Sequence, residues 1–421
     1  MKDGAVDNFH ILIDCGSKGR AALLKRAVAN LKEILPDAGG GRVRLDLLVA
    51  THEHADHIKG FDPEDFDGIQ IENIWMSAAM NAQHPQAEHA FALNRLATRA
   101  MRNLAARDLS LSPELQGLVA LYELGNDGAM EALRTTLPTR NAIEPKYVHA
   151  DMTEDELAIE TLQGATLKVL GPEENIDLYY LGDEGAEIVH AFNETTGALR
   201  TLRDEPQVRP ESISGSDFRR LRSRMMSGLF AFTQENDKVI NNTSVVLLIE
   251  WKGRRLLFVG DAEWTNTFRL GQGNGSWNTM WNTRPELLGE PIDFLKIGHH
   301  GSENATPWSS GGNGESEPAR ILNAILPLPA DGEQPAAKAL VSTARGNTYP
   351  SIPRSELLVE LGKRVGNARK YLDSFGAAGA ANLPHYADRE EQWLMEAQPP
   401  RTDLECILSG KTYVDIEIEA E

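Results

Sequence analysis

Cysteine is nearly absent from this chain. Only Cys15 and Cys406 occur among 421 residues, which excludes a disulfide scaffold and points to a reducing compartment. Long apolar runs are missing as well, so no segment reaches the roughly 18 residues that a membrane span needs. The opening MKDGAVDNFHILIDCG has neither the basic stretch nor the apolar core of a secretory signal. The location expected from these absences is the cytoplasm. Positive charge is in short supply: 42 Lys and Arg face 62 Asp and Glu, for a formal net charge of −20. Such a surface repels polyanions at long range and disfavours loose binding of long nucleic acid, which needs many basic contacts. A short phosphorylated substrate held by a cation is still allowed, because the local field of a dication overrides the global one. The sequence also shows no solenoid repeat, no Ser-His-Asp arrangement and no glycine-rich phosphate loop.

What is present reads as α/β, with ample length for a core. FHILIDCG is a buried strand, and GRAALLKRAVANLKEIL has helical period through Leu23, Leu24, Ala27, Leu31 and Leu35. GGGR breaks that helix, VRLDLLVA is the next strand, and IENIWMSAA a further element. TSVVLLIEWKGRRLLFVGDA is a hairpin around a Lys252-Gly253 turn, and PIDFLKIGHHGS is a strand ending in two histidines. KALVSTA and YVDIEIEAE close the chain as strands. Two segments differ in character. Residues 82–138 form a helical insert, with AEHAFALNRLATRAMRNLAARDL and PELQGLVALYELGNDGAMEALRTTL as its helices. Residues 175–240 form an irregular charged insert. The whole, 1–421, is expected to be one domain carrying both.

The chemistry sits just past predicted strands. Asp14 follows HILI, THEHADHIKG follows LDLLVA, Asp261 follows LLFVG, and His299 and His300 follow FLKIG. Loops at strand ends carry sites because the sheet fixes their positions. His52 and His54, two apart, point to one side; Asp56 and His57 follow after a bend. One loop thus offers two imidazoles to one cation, and an imidazole with a carboxylate to another. Such nitrogen and oxygen donors suit zinc, and also iron or manganese. Asp261 is placed to bridge two cations roughly 3.5–4 Å apart, which would clamp an attacking hydroxide and a leaving oxygen.

THEHADHIKG matches the HxHxDH signature of the metallo-β-lactamase superfamily, LIDCG resembles its first, buried-aspartate motif, and FVGDAE its bridging-aspartate motif. More narrowly, NNTSVVLLIEWKGRRLLFVGDAE, DFLKIGHHGSENATP, ALVSTARGNTYPSIPRSELLVEL and RTDLECILSGKTYVDIEIE resemble the hydrolase domain of the ComEC family of DNA-uptake channels. The two inserts lie outside the likeness. The resemblance implies a four-layer αββα sandwich and hydrolysis with one or two divalent ions, zinc first and manganese second. His52 and His54 are then ligands of the first ion, Asp56 and His57 of the second, and Asp261 bridges. Either His299 or His300 completes the second position, with His300 preferred. Asp14 touches no metal but orients a ligand histidine. One departure is plain: LKVLGPEEN lacks the further histidine that many superfamily members place on the first ion, and His149 and His190 are the nearest candidates. The first ion is then weakly held, or held by water or a carboxylate.

The expected chemistry follows from the cations. The pKa of a bound water drops to about 7, and charge developing on the substrate is neutralised. Asp56 could also accept the water's proton. Phosphodiester cleavage is the leading expectation. A carbonyl-centre hydrolase acting on a lactone, thioester or β-lactam is the second, and a partner-binding subunit with a structural or regulatory metal the third. Ser302 and Asn304 are candidate substrate contacts that equally suit loop shaping; Asn242 and Ser244 are read first as ordering the approach to the hairpin, with substrate contact the lesser alternative. Arg219, Arg220, Arg222 and Arg224 could receive phosphate or lie on a solvated helix face. The helical insert's apolar stripe suits internal packing or a contact with a second copy or another protein. His84 and His89 are expected on its surface.

Overall fold

A computed structural model describes residues 8–17, 21–105, 125–183, 185, 214, 233–265, 267–302, 304–308, 316–342, 352–366 and 416–420. Among them the strands are β1 (Ile11–Ile13), β2 (Asp37–Gly39), β3 (Arg42–Leu45), β4 (Leu47–Ala50), β5 (Ile69–Ile71), β6 (Ile74–Ser77), β7 (Lys146–Val148), β8 (Ala165–Gly171), β9 (Val246–Trp251), β10 (Arg254–Phe258), β11 (Phe294–Ile297) and β12 (Lys338–Val341). One sheet has the order β1-β4-β6-β7, with every pairing parallel. A second runs β12-β11-β10-β9-β8, parallel from β12 to β10 and antiparallel beyond. β2, β3 and β5 form a small third sheet.

Alternation along β4 shows how the layers stack. Leu47 and Val49 face the second sheet and pack with Leu167, Val169, Leu247 and Ile249. Leu48 and Ala50 face outward into a core with Val28 and Leu35, at the helix Ala21–Ile34. On the far side Leu248, Leu257 and Leu295 meet Trp277, Ile321, Leu322 and Leu361 from outer helices. Helix, sheet, sheet and helix therefore form an αββα sandwich, as the sequence implied.

Two readings of the sequence need correction. VRLDLLVA is not one strand. It breaks at Asp46, with β3 in the small sheet and β4 in the large one. The buried Asp46 carboxylate accepts from His10 N and stands 2.9 Å from Arg44 Nε, and these contacts fix the corner. The closing segment also differs: residues 416–420 are not a strand, and Glu417 O and Glu419 O accept from the side chains of Lys338 and Arg254. The rest of that segment, with Cys406, lies outside the described residues. The hairpin is as expected, β9 and β10 joined by Lys252 and Gly253, both at positive φ. No helix among the described residues is long and apolar enough to cross a membrane.

Within the first insert, the helix Glu88–Ala105 is seen, as is a helical run opening with Gly125–Glu131; residues 106–124 lie outside the description. Asp177 joins the two inserts by accepting from His89 N and Ala90 N at the helix start. Ala87, Ala90 and Leu93 then pack on Ile176, Tyr180, Leu181 and Val239.

The C-terminal ends of β1, β4, β10 and β11 meet at one edge of the sandwich, where Val245 N donates to Thr51 O across the two sheets. Loop backbones there touch. A Cβ on Gly16 would stand 2.2 Å from the backbone carbon of Asp56, and one on Gly298 2.3 Å from Gly260 O. We expect Gly16→Ala to force these loops apart and to cost about 1–3 kcal/mol or more, since backbone cannot yield as a side chain does. Urea unfolding reads this directly, and an unchanged midpoint would refute the contact.

Candidate metal centre

The histidine loop divides where the backbone changes conformation. His54 is extended (φ −67°, ψ 145°) and opens the single helical turn Ala55–Ile58. His52 and His54 therefore leave an extended segment, while Asp56 and His57 leave a helical one. His52 Nε2 and His54 Nδ1 face each other at 3.1 Å. Asp261, buried past the end of β10, sets Oδ2 3.8 Å from His52 Nε2 and Oδ1 3.1 Å from His57 Nε2. His300 Nε2 lies 3.0 Å from Asp56 Oδ2. Two donor groups result among the described residues, His52 with His57 and Asp261, and Asp56 with His57 and His300, each with its donor atoms within 4.8 Å of one another. His57 belongs to both. His299 turns elsewhere, its Nδ1 3.0 Å from Glu263 Oε1.

Hydrogen bonds behind the rings assign their tautomers. Asp14 accepts from Thr51 N, from Thr51 Oγ1 and from His57 Nδ1, each at 2.7 Å. Because the Thr51 hydroxyl gives its proton to Asp14, its oxygen accepts from His52 Nδ1 at 3.1 Å, as does Ser244 Oγ. His300 Nδ1 donates to Ser342 O at 2.6 Å. In all three rings the Nδ1 proton is engaged, and Nε2 faces a carboxylate, an arrangement that a proton or a metal ion on Nε2 satisfies. The buried His57 Nε2 makes no aligned hydrogen bond despite its distance from Asp261, as fits two donors aimed at a common point. Imidazole nitrogen with carboxylate oxygen is the donor set of zinc or manganese, so the residues fit divalent ions.

The electrostatics agree. Burial would lower the pKa of His57, but the carboxylates of Asp261 and Asp14 outweigh it and raise the pKa well above the ordinary value. Burial would raise Asp261, but His57 above all holds it well below the usual carboxylate range. Burial and the neighbouring His57 push His52 far down. His57 thus attracts a positive charge while His52 resists a proton, and a shared metal ion satisfies both. Burial, with the Asp14 charge, pushes the Cys15 thiol up to about 12, so Cys15 offers no thiolate at neutral pH.

The backbone is held in unusual conformations at this edge. Asp14, His299 and His300 have φ of 59°, 41° and 55°, a region L residues seldom adopt, and such strain gathers at functional sites.

Several contributors escaped the sequence reading. Thr51 could have been suspected, since it precedes the motif. Ser244, read as a residue that orders the approach to the hairpin, accepts from His52 Nδ1 and from Asp261 N. Asp237, whose Oδ1 is 3.2 Å from His54 Nε2, and Glu263 carry no local signal. Asn242 accepts from Glu263 N and Ser276 N and is structural. Ser302 Oγ donates to Asn304 Oδ1, and Asn304 O accepts from Trp264 N, so both shape their loop. His149 faces Asp151. His84 is buried against Glu174 O, not exposed, while His89 is exposed beside Asp177. His190 and the four arginines at 219–224 lie outside the described residues.

The model of the metallo-beta-lactamase superfamily matches residues 5–63, a stretch that holds Asp14 and the whole histidine loop. Fold and match together define a metallo-β-lactamase type of α/β sandwich, and the superfamily suggests a metal-dependent hydrolase. No curated protein matches the chain. The likeness to the ComEC hydrolase domain therefore rests on the motifs alone.

Asp14→Ala should free the His57 ring and release Thr51, weakening metal binding about 10–100-fold. Calorimetric titration with zinc or manganese measures this, and wild-type affinity in the variant would remove Asp14 from the account.

Proposed function

We propose that this chain is a two-cation phosphodiesterase or nuclease-like hydrolase of short phosphorylated substrates, with zinc or manganese as its ions. The observation that carries the reading is that two donor groups, one with Asp261 and one with Asp56, share His57. His52, His54 and Asp261 would hold one ion, and Asp56, His57, His300 and Asp261 the other. Paired divalent ions supply an activated water and neutralise charge on the attacking and leaving oxygens of an in-line displacement.

The chain's own residues do the rest. Asp14 and Thr51 keep the Nε2 faces of His57 and His52 toward the centre. Ser342 O does the same for His300. Asp56, beside His300, is the carboxylate we assign to accept the proton of the attacking water. The net charge of −20 favours a short substrate over long duplex. We read the chain as one domain with inserts at 82–138 and 175–240, working in the cytoplasm. The packing of Leu93 and its neighbours on Ile176 and Val239 supports an internal cap as the role of the helical insert.

The purified protein, loaded with zinc or manganese, should hydrolyse bis-p-nitrophenyl phosphate. His54→Ala and Asp261→Ala should each lower that rate by roughly 100-fold or more. Turnover of nitrocefin or a lactone without the diester would replace this reading with a carbonyl-centre hydrolase. Bound metal with no turnover at all, together with a stable partner in pull-down, would make the chain a binding subunit.

A further inference from the structure

The first cation position has two histidines from the loop and none from LKVLGPEEN. We propose that Asp237 is the positioning residue for His54, and that helical residues 233–242 orient this side of the centre from within a segment that looked like an insert. The inference rests on the two-cation reading above.

His54 offers Nδ1 toward His52 Nε2 at 3.1 Å. A neutral ring that gives the Nδ1 electron pair to an ion carries its proton on Nε2. His54 is only 4% exposed, so that N–H needs an acceptor from the protein. Asp237 Oδ1 stands 3.2 Å away. Both atoms are buried and neither has another hydrogen-bond partner. Asp237 stands behind the His54 ring as Asp14 stands behind His57, although the His57 contact is an aligned hydrogen bond at 2.7 Å and the His54 contact is a close approach.

The same helix face reaches the other side of the centre. Asn241 lies one turn beyond Asp237. Its Nδ2 donates to Glu263 Oε1 at 3.0 Å, and that oxygen is also 3.0 Å from His299 Nδ1. His299 N in turn donates to Asp261 Oδ1 at 2.8 Å. One face of one helix thus steers His54 directly and the Asp261 carboxylate through Glu263 and His299. Asp237 and His54 are both outside the two tight donor groups among the described residues; the imidazole atom Asp237 faces is the outer His54 Nε2, at 3.2 Å, so we assign it a role through His54.

The test is metal binding by the full chain, not turnover. Cobalt(II) is titrated into wild type, Asp237→Ala, Asp237→Asn and His54→Ala, with bound equivalents read from the visible absorption bands and by elemental analysis. Asparagine keeps an oxygen that can accept from His54 Nε2; alanine removes it. Asp237→Ala should weaken one bound equivalent by about 10–100-fold and leave the other in place. His54→Ala should lose that same equivalent, and Asp237→Asn should stay within about threefold of wild type. Equal weakening by Asn and Ala would make Asp237 a ligand and overturn the positioning role. Two wild-type affinities in Asp237→Ala, whatever its melting temperature, would also overturn it while leaving the two-cation reading intact. A wild type that binds no cobalt or zinc would sink both.

Discussion

Asp14 is the anchor on which the geometry of the centre depends. One carboxylate at the end of β1 receives two hydrogen bonds from Thr51 and one from His57. Hydrogen bonds to a charged acceptor contribute about 1.5–3 kcal/mol each. A left-handed backbone at a non-glycine residue costs about 1–3 kcal/mol. Three bonds exceed that cost, so Asp14 can keep a φ of 59° and aim its side chain at the neighbouring loop. Because the bonds reach two consecutive parts of that loop, they set the His57 ring directly and the His52 ring through a hydroxyl. Without that anchor the Nε2 faces would have no reason to converge on Asp261.

The convergence also needs both sheets. β1 and β4 run parallel in one, β10 and β11 parallel in the other, so four loops leave at the same edge. Side chains as short as Asp can span the gap only if the backbones nearly touch. Gly16 against Asp56 and Gly298 against Gly260 allow that approach. Ser244 completes the seam: its hydroxyl meets His52 from the first sheet's loop and Asp261 N from the second's. The inter-sheet core of Leu47, Val49, Leu247 and Ile249 holds the two loop sets in register from below, and burial of this kind is worth roughly 1.5–3 kcal/mol per large side chain.

What could be read from the sequence follows from range. His52, His54, Asp56 and His57 share one loop, and Asp261 and His300 each end an obvious strand, so alternation and strand-end position were enough to nominate them. The strands β4 and β9 through β11 were legible as short apolar runs bounded by turns, whereas the αββα layering was expected from the resemblance of the motifs. The break at Asp46 was not legible, because a run that passes from one sheet to another keeps its apolar pattern; only the contacts of Asp46 with His10 and Arg44 reveal the corner. His299 and His300 could not be separated by position. Ser342 O, forty-two residues away, orients one, and Glu263 faces the other. Asp237 and Asn241 sit four apart on one helix, Asp237 within and Asn241 just past the stretch at 175–240 whose composition reads as an irregular charged insert.

The charge of the chain takes on a different meaning at this edge. Asp14, Asp56, Asp237, Asp261 and Glu263 gather around five histidines, His52, His54, His57, His299 and His300. Lys296 is the nearby basic side chain that Asp261 and Asp14 attract, and its own burial pulls its pKa down. Five carboxylates, of which Asp261 and Glu263 are buried, draw positive charge to the site, and interactions in a partly dry site are stronger than at the surface. A divalent ion answers that field better than protons can, since protonating His57 raises the cost of protonating His52 beside it. At the strand ends the same acidity favours a cation, and a bound divalent ion would reverse the sign of the field that an anionic substrate meets.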